Sequence, residues 1–172
     1  MTLEEFRQLR LYSRYDGIYL AVVWAAAFAS LILSGQYPLL GSVCMILTLS
    51  TPFFVAHRLR LFRQNGLDGV IGYGRALHYC LRVFFNASLL FAVIQWAYMK
   101  YVDNGQLVAL LTHLAESEDT KAALQQWGFD IKVLTNAFTQ VTPLEFATSY
   151  LVENILMGII LSIPIALIMK KS

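Results

Sequence analysis

The chain has 172 residues, of which 58% are hydrophobic and only 14% charged, with a mean hydropathy of +0.57 and a formal net charge of +2. About a quarter of a typical soluble domain is charged, so this composition excludes a water-soluble globule and requires lipid against much of the surface. A balance so near neutrality also excludes nucleic acid as a partner, and the length suits one membrane domain.

At the N-terminus, Thr2 and Glu5 fit a T-x-x-E capping box. It opens a short helix with Leu3, Phe6 and Leu9 toward one side among Arg7, Arg10 and Arg14, the pattern of a helix lying in the membrane interface. Residues 17–33 and 37–56 then run without a charged side chain. At helical rise they reach roughly 26 and 30 Å, close to the thickness of a hydrocarbon core, so both are expected to span. The stretch AAAFAS in the first run has the look of a cleavage site. The run nevertheless continues through Leu31, Ile32 and Leu33, and a second begins after Ser34, Gly35 and Gln36, so retention as a span is expected.

From 57 to 75 the chain is basic and punctuated by Gly66, Gly69, Gly72 and Gly74, which match neither phosphate-loop pattern. Irregular turns leading into a third span, 78–99, are the reading. In residues 100–145, Leu107, Val108, Leu110, Leu111 and Leu114 recur at helical spacing. Asp119 is placed to cap a helix closed at Gly128, and Asp130 another carrying Ile131, Val133, Leu134 and Phe138. Two or three short amphipathic helices are therefore expected, their apolar faces covered by the bundle, the headgroups or a partner. The last run, 146–169, is long enough to tilt. Pro52 and Pro164 are expected near the inner ends of their helices, where a kink costs little. The fold class is thus all-α: four transmembrane helices, an N-terminal interfacial helix and short amphipathic helices between spans three and four.

Charge sets the orientation. With the N-terminus inside, Arg7, Arg10, Arg14, Arg58, Arg60, Arg63, Arg75, Arg82, Lys170 and Lys171 are all cytoplasmic, against Lys100, Lys121 and Lys132 outside. Basic loops are retained in the cytoplasm, so both termini are expected there. Asp16 counts among the inside acids. Tyr37, Trp96, Tyr98, Tyr101, Trp127 and Tyr150 gather at the outer level and Tyr12, Tyr15, Tyr73 and Tyr79 at the inner one, as interfacial belts.

Polar residues within the spans are the functional candidates. Arg75, His78, Arg82 and Asn86 form one stripe on the third helix, which Arg58, Arg60 and Arg63 widen. Anchoring by snorkelling arginines is the plain meaning; a site for an anionic lipid headgroup is the sharper one. Glu153 is an acid well inside a span, and carboxylates there should face protein or water. Counted by depth, Gln95 is its best-matched neighbour, with Asn154 beside it and Ser42 and Cys44 at a comparable level. Small residues mark tight seams: Ala21, Ala25 and Ala29 on the first helix, and Asn154, Gly158, Ser162 and Ala166 on the fourth, within the chain or across a homodimer. Cys44 and Cys80 read as packing residues. His57, His78 and His113 fall at different levels, so neither a metal site nor a cofactor is expected. No serine comes with a His and an Asp at one level, so no catalytic residue is assigned and an enzyme is not expected.

The stretch RLRLFRQNGLDGVIGYGRALHYC, the helix exit AYMKYVDNG, the TP before the last helix and the terminal KK resemble an uncharacterised bacterial inner-membrane family, domain of unknown function 4199. A basic glycine-containing loop and a Y-x-x-Y-[IV]-D exit recur in it, here Tyr98, Tyr101, Val102 and Asp103; where the family often has proline next, this chain has Asn104. The resemblance implies four spans and a bacterial inner membrane, and no activity. The expected role is a structural or accessory partner in the cell envelope, in contact with the bilayer and with a membrane protein or a second copy. The alternative is a minor transporter or anionic-lipid-binding protein using Glu153 or the cytoplasmic-side arginines.

Overall fold

A computed structural model describes residues 3–67, 69–128 and 130–171, without the side chains of 119, 123, 125, 131, 134 and 138. Thr2 of the N-terminal capping box, and the side chains of Asp119, Ile131, Leu134 and Phe138, therefore lie outside the described residues. The chain is built from α1 (Leu3–Leu33), α2 (Leu39–Gly66), α3 (Tyr73–Tyr101), α4 (Gln106–Glu116), α5 (Glu118–Gln126), α6 (Ile131–Gln140) and α7 (Pro143–Met169). Four of these, α1, α2, α3 and α7, are long and apolar enough to cross a membrane. The protein is a multi-pass, all-helical membrane protein.

Helices outrun apolar stretches. The segment expected to lie apart in the interface is instead the opening of α1, a continuous helix of 31 residues and about 46 Å. Nothing between Arg14 and Gly17 breaks the backbone, and Leu9 and Ser13 are fully buried in the bundle. Likewise α2 continues through the basic stretch to Gly66, which shortens the loop before α3 to 67–72 and puts Pro52 in the middle of its helix rather than near its end. Apolarity marks what meets lipid, whereas hydrogen bonding carries a helix on into water or headgroups.

At the centre stands α3, packed between α1 and α7. Its buried residues Ala76, Cys80, Val83, Ala87, Phe91 and Gln95 recur every three or four positions. Glycines permit the closest approaches on both sides. A Cβ on Gly17 would stand 2.6 Å from Asn86 Cβ, and one on Gly158 would stand 2.6 Å from Phe84 Cβ. The small-residue seams thus both run against α3. Of the α1 stripe only Ala21 is buried; Ala25 is half-buried and Ala29 exposed, because the inward face passes instead through Gly17, Leu20, Trp24 and Phe28. On α7, Gly158, Ser162 and Ala166 are buried and Asn154 half-buried. The Ser162 hydroxyl is satisfied inside its own helix, donating to the Gly158 carbonyl at 2.6 Å.

Turning to α2, only Thr51, Val55, Leu59 and Phe62 are buried, all from its middle onward. The turns before Thr51 are half-buried at Leu40, Gly41, Cys44, Leu47 and Ser50 and exposed elsewhere. One end of the molecule gathers both termini: Glu5 pairs with Arg75 at 2.7 Å, Ile71 and Lys171 exchange backbone hydrogen bonds in an isolated bridge, and Arg63 Nη1 donates to the Met169 carbonyl at 2.8 Å.

The other end carries α4 to α6. Leu107 and Ala115 of α4 are buried, and Leu110 comes within contact of Gly35 between α1 and α2. The bundle therefore covers α4 in part, at Leu107 and Leu110, while the rest of its packing is against α5 and α6 and Leu114 stays exposed. Asp119 lies inside α5 rather than before it, whereas Asp130 caps α6 by accepting from the Lys132 amide at 2.9 Å. Before α4, Asp103 is buried and accepts from the amides of Gly105 and Leu107. That turn needs Asn104 at φ +43° and Gly105 at φ +84°. Proline, fixed near −65°, has no access to the first of these values. A complete capping box opens α7: Thr142 Oγ1 accepts from the Glu145 amide, and the Glu145 carboxylate accepts from the Thr142 amide at 2.9 Å.

Candidate functional site

Polar chemistry inside the bundle falls into three places: a buried ionic knot, a basic hollow near the termini and an acid-bearing cavity toward the other end.

The knot was not legible in the sequence. Asp16 is 1% exposed, and its carboxylate accepts from the Tyr79 hydroxyl and forms a salt bridge with Arg58, whose Nε lies 2.6 Å away. Tyr79 stacks on Phe62 with centroids 4.8 Å apart, and the Arg58 guanidinium sits over the Tyr19 ring. Tyr79 is thus a core residue and not part of an interfacial belt. The knot ties α1, α2 and α3 together where charge in a span would otherwise be costly.

This also divides the predicted basic patch. Arg58 is neutralised by Asp16, Arg75 by Glu5, and Arg63 is spent on the end of α7; Arg60 is exposed. What remains of the stripe is His78, Arg82 and Asn86. These line a hollow of about 470 Å³ between α1, α3 and α7 together with Arg14, which the sequence had placed only as a topological charge. Arg82 Nε donates to His78 Nε2 at 2.9 Å, its guanidinium covers the Phe6 ring at 5.1 Å, and Asn86 donates to the Ser13 carbonyl. No carboxylate lines the hollow, and among the described residues neither Arg14 nor Arg82 makes an ion pair. Toward mid-bundle its walls become apolar, at Phe85, Ile155 and Ile159.

The second cavity, about 440 Å³, lies among α1, α2, α3 and α7, beside residues 44–52 of α2. Gln95, Glu153 and Asn154 all line it, with Cys44 and Thr48 of α2, so the depth matching made from the sequence brings together residues of one cavity. Ser42 does not line it. Trp24 Nε1 donates to Thr51 Oγ1 at 3.0 Å across its wall. Gln95 is fully buried, yet neither its Oε1 nor its Nε2 has a partner. Both hollows share Phe84 and Gly158. The three histidines lie on three different helices, and among the described residues no three metal-ligating side chains come together.

A family model described as "Protein of unknown function (DUF4199)" matches residues 15–171, nearly the whole chain. The chain belongs to the DUF4199 family. In this DUF4199 protein the matched region takes in the knot, the acid-bearing cavity and all of the basic hollow except Arg14, which lies one residue before it. No curated protein and no solved structure matches the chain.

Proposed function

We propose that this DUF4199 protein is a non-enzymatic accessory protein of a bacterial inner membrane that holds an anionic lipid headgroup in the basic hollow. One observation carries the reading: Arg14 and Arg82 face a space between membrane-crossing helices that contains no acidic side chain. Cationic pockets of that kind suit phosphate-bearing headgroups. The change from Arg14, His78 and Arg82 to Phe85, Ile155 and Ile159 along the walls matches a charged head continuing into an acyl chain.

The excess of Lys and Arg at the end bearing both termini supports an inward orientation for that end. A membrane-impermeant maleimide applied to intact cells should then label Glu116→Cys and spare Arg60→Cys, in a chain whose native cysteines are replaced by alanine. The reverse pattern would invert the protein.

Lipid binding is tested by native mass spectrometry of the full chain, extracted with phosphatidylglycerol or with phosphatidylcholine. Retention of phosphatidylglycerol should fall by about tenfold in Arg14→Gln/Arg82→Gln, since each screened phosphate contact is worth about 1 kcal/mol or less. Arg60→Gln, on the exposed face, should retain it. Equal retention by all three chains would refute the reading.

A further inference from the structure

The cavity beside α2 has a chemistry opposite to that of the basic hollow. Its walls include the rings of Trp24, Phe28, Phe84, Phe91 and Tyr150. Trp24 and Phe28 both meet Phe91 edge-on, with centroids 5.7 and 5.9 Å apart, so this aromatic lining is fixed by mutual packing. Glu153 lines the same cavity at its exposed rim, and among the described residues it makes no ion pair. Gln95 brings a buried primary amide with both polar atoms unpartnered.

An occupant must answer all three features. A lipid acyl chain would satisfy the rings but leave the amide and the carboxylate unmatched in a low-dielectric space, which is costly. An anion would be repelled by Glu153. A neutral alcohol would serve Gln95 and leave the carboxylate unpaired. A primary or secondary ammonium on an apolar body meets every requirement: its charge pairs with Glu153, its N–H groups donate to Gln95 Oε1 and the carboxylate, and the aromatic faces attract the cation and cover its body. The volume lies in the range of small-molecule sites. From this geometry we infer that the cavity binds a hydrophobic amine in its ammonium form, with Glu153 as counter-ion, Gln95 as hydrogen-bonding partner and Trp24, Phe28 and Phe91 as the aromatic wall.

The site shares no cationic residue with the basic hollow, so its failure and that of the lipid reading are separable. The test uses the full chain in phosphatidylcholine nanodiscs and tritiated 4-phenylbutylamine, with empty nanodiscs as the partitioning control. Saturable binding is expected, weakened by about tenfold in Glu153→Gln, a near-isosteric change that removes a charge from a span and so does not threaten insertion. Gln95→Leu should weaken it as well, and excess unlabelled 4-phenylbutanol should fail to displace the amine. Protection of buried Cys80 from a maleimide verifies that each variant is folded. Binding no greater than to empty nanodiscs, equal affinity in Glu153→Gln, or displacement by the alcohol as readily as by unlabelled amine would each overturn the inference.

Discussion

At the scale of single residues, the Asp16 knot shows how much one carboxylate holds. Asp16 and Tyr79 are buried while the Arg58 side chain is 27% exposed, so losing the acid strands a partly solvated cation. Asp16→Asn should therefore destabilise by about 2 kcal/mol, less than the roughly 3–5 kcal/mol that breaking a fully buried pair costs. Tyr79→Phe removes one hydrogen bond and should cost about 1 kcal/mol. In a Cys44→Ala background, the temperature at which Cys80 becomes reactive to a maleimide measures both, and Asp16→Asn/Arg58→Gln should recover part of the loss. A double variant no more stable than Asp16→Asn would show that the ion pair is not what the single change breaks. The sequence hid this group because its members are far apart: Arg58 and Tyr79 come to Asp16 across 42 and 63 residues, and nothing in their spacing encodes the meeting. Gln95, Glu153 and Asn154 were legible for the converse reason. Depth along a spanning helix follows from counting residues at constant rise, and two side chains at equal depth in a four-helix bundle have few places to be.

Helix ends and seams set the next scale. Hydropathy located all four spans but underestimated their length, since α1 is continuous with the segment read as a separate interfacial helix, and α2 runs on through 57–66 where turns were expected. The alanine stripe of α1 misled for a related reason: small residues permit a seam without requiring one, and Trp24 and Phe28 reach the aromatic cluster on α3 only if the helix turns Ala29 outward. The glycines are less permissive. Gly158→Ala would place a methyl 2.6 Å from Phe84 Cβ and Gly17→Ala one 2.6 Å from Asn86 Cβ, so each should destabilise by about 1–3 kcal/mol as α3 is pushed aside. Alanine at Gly74, where no atom lies within 4 Å, serves as the tolerant comparison. A thermal shift for Gly158→Ala no larger than that for Gly74→Ala would contradict the seam. At the start of α7, Thr142→Ala removes half of the capping box and should cost about 1 kcal/mol, read as faster proteolysis near 142 in otherwise intact protein.

Taken whole, the molecule is a sandwich of α1 and α7 on α3, with α2 added against α1 and burying residues fully only from Thr51 onward. Packing should therefore be uneven around the bundle, and the two cysteines report it: Cys80 is buried on α3, whereas Cys44 is half-buried on the part of α2 that buries no residue fully. A membrane-permeant maleimide should label Cys44 about tenfold faster than Cys80, as local opening there exposes few buried contacts; equal rates would mean that α2 is packed along its whole length. That unevenness has no signature in the hydropathy of α2, which matches that of α1, because lipid and protein interior are equally apolar to such a scale.

The contact between Phe84 and Gly158 has one more consequence. Both residues line the basic hollow on one side and the acid-bearing cavity on the other, so the two spaces meet at this contact. Glycine at 158 is what admits Phe84 there, since an added Cβ would stand 2.8 Å from its Cγ. Two spaces of opposite charge thus share a wall at one of the closest helix contacts in the bundle, and whatever shifts that contact reaches both.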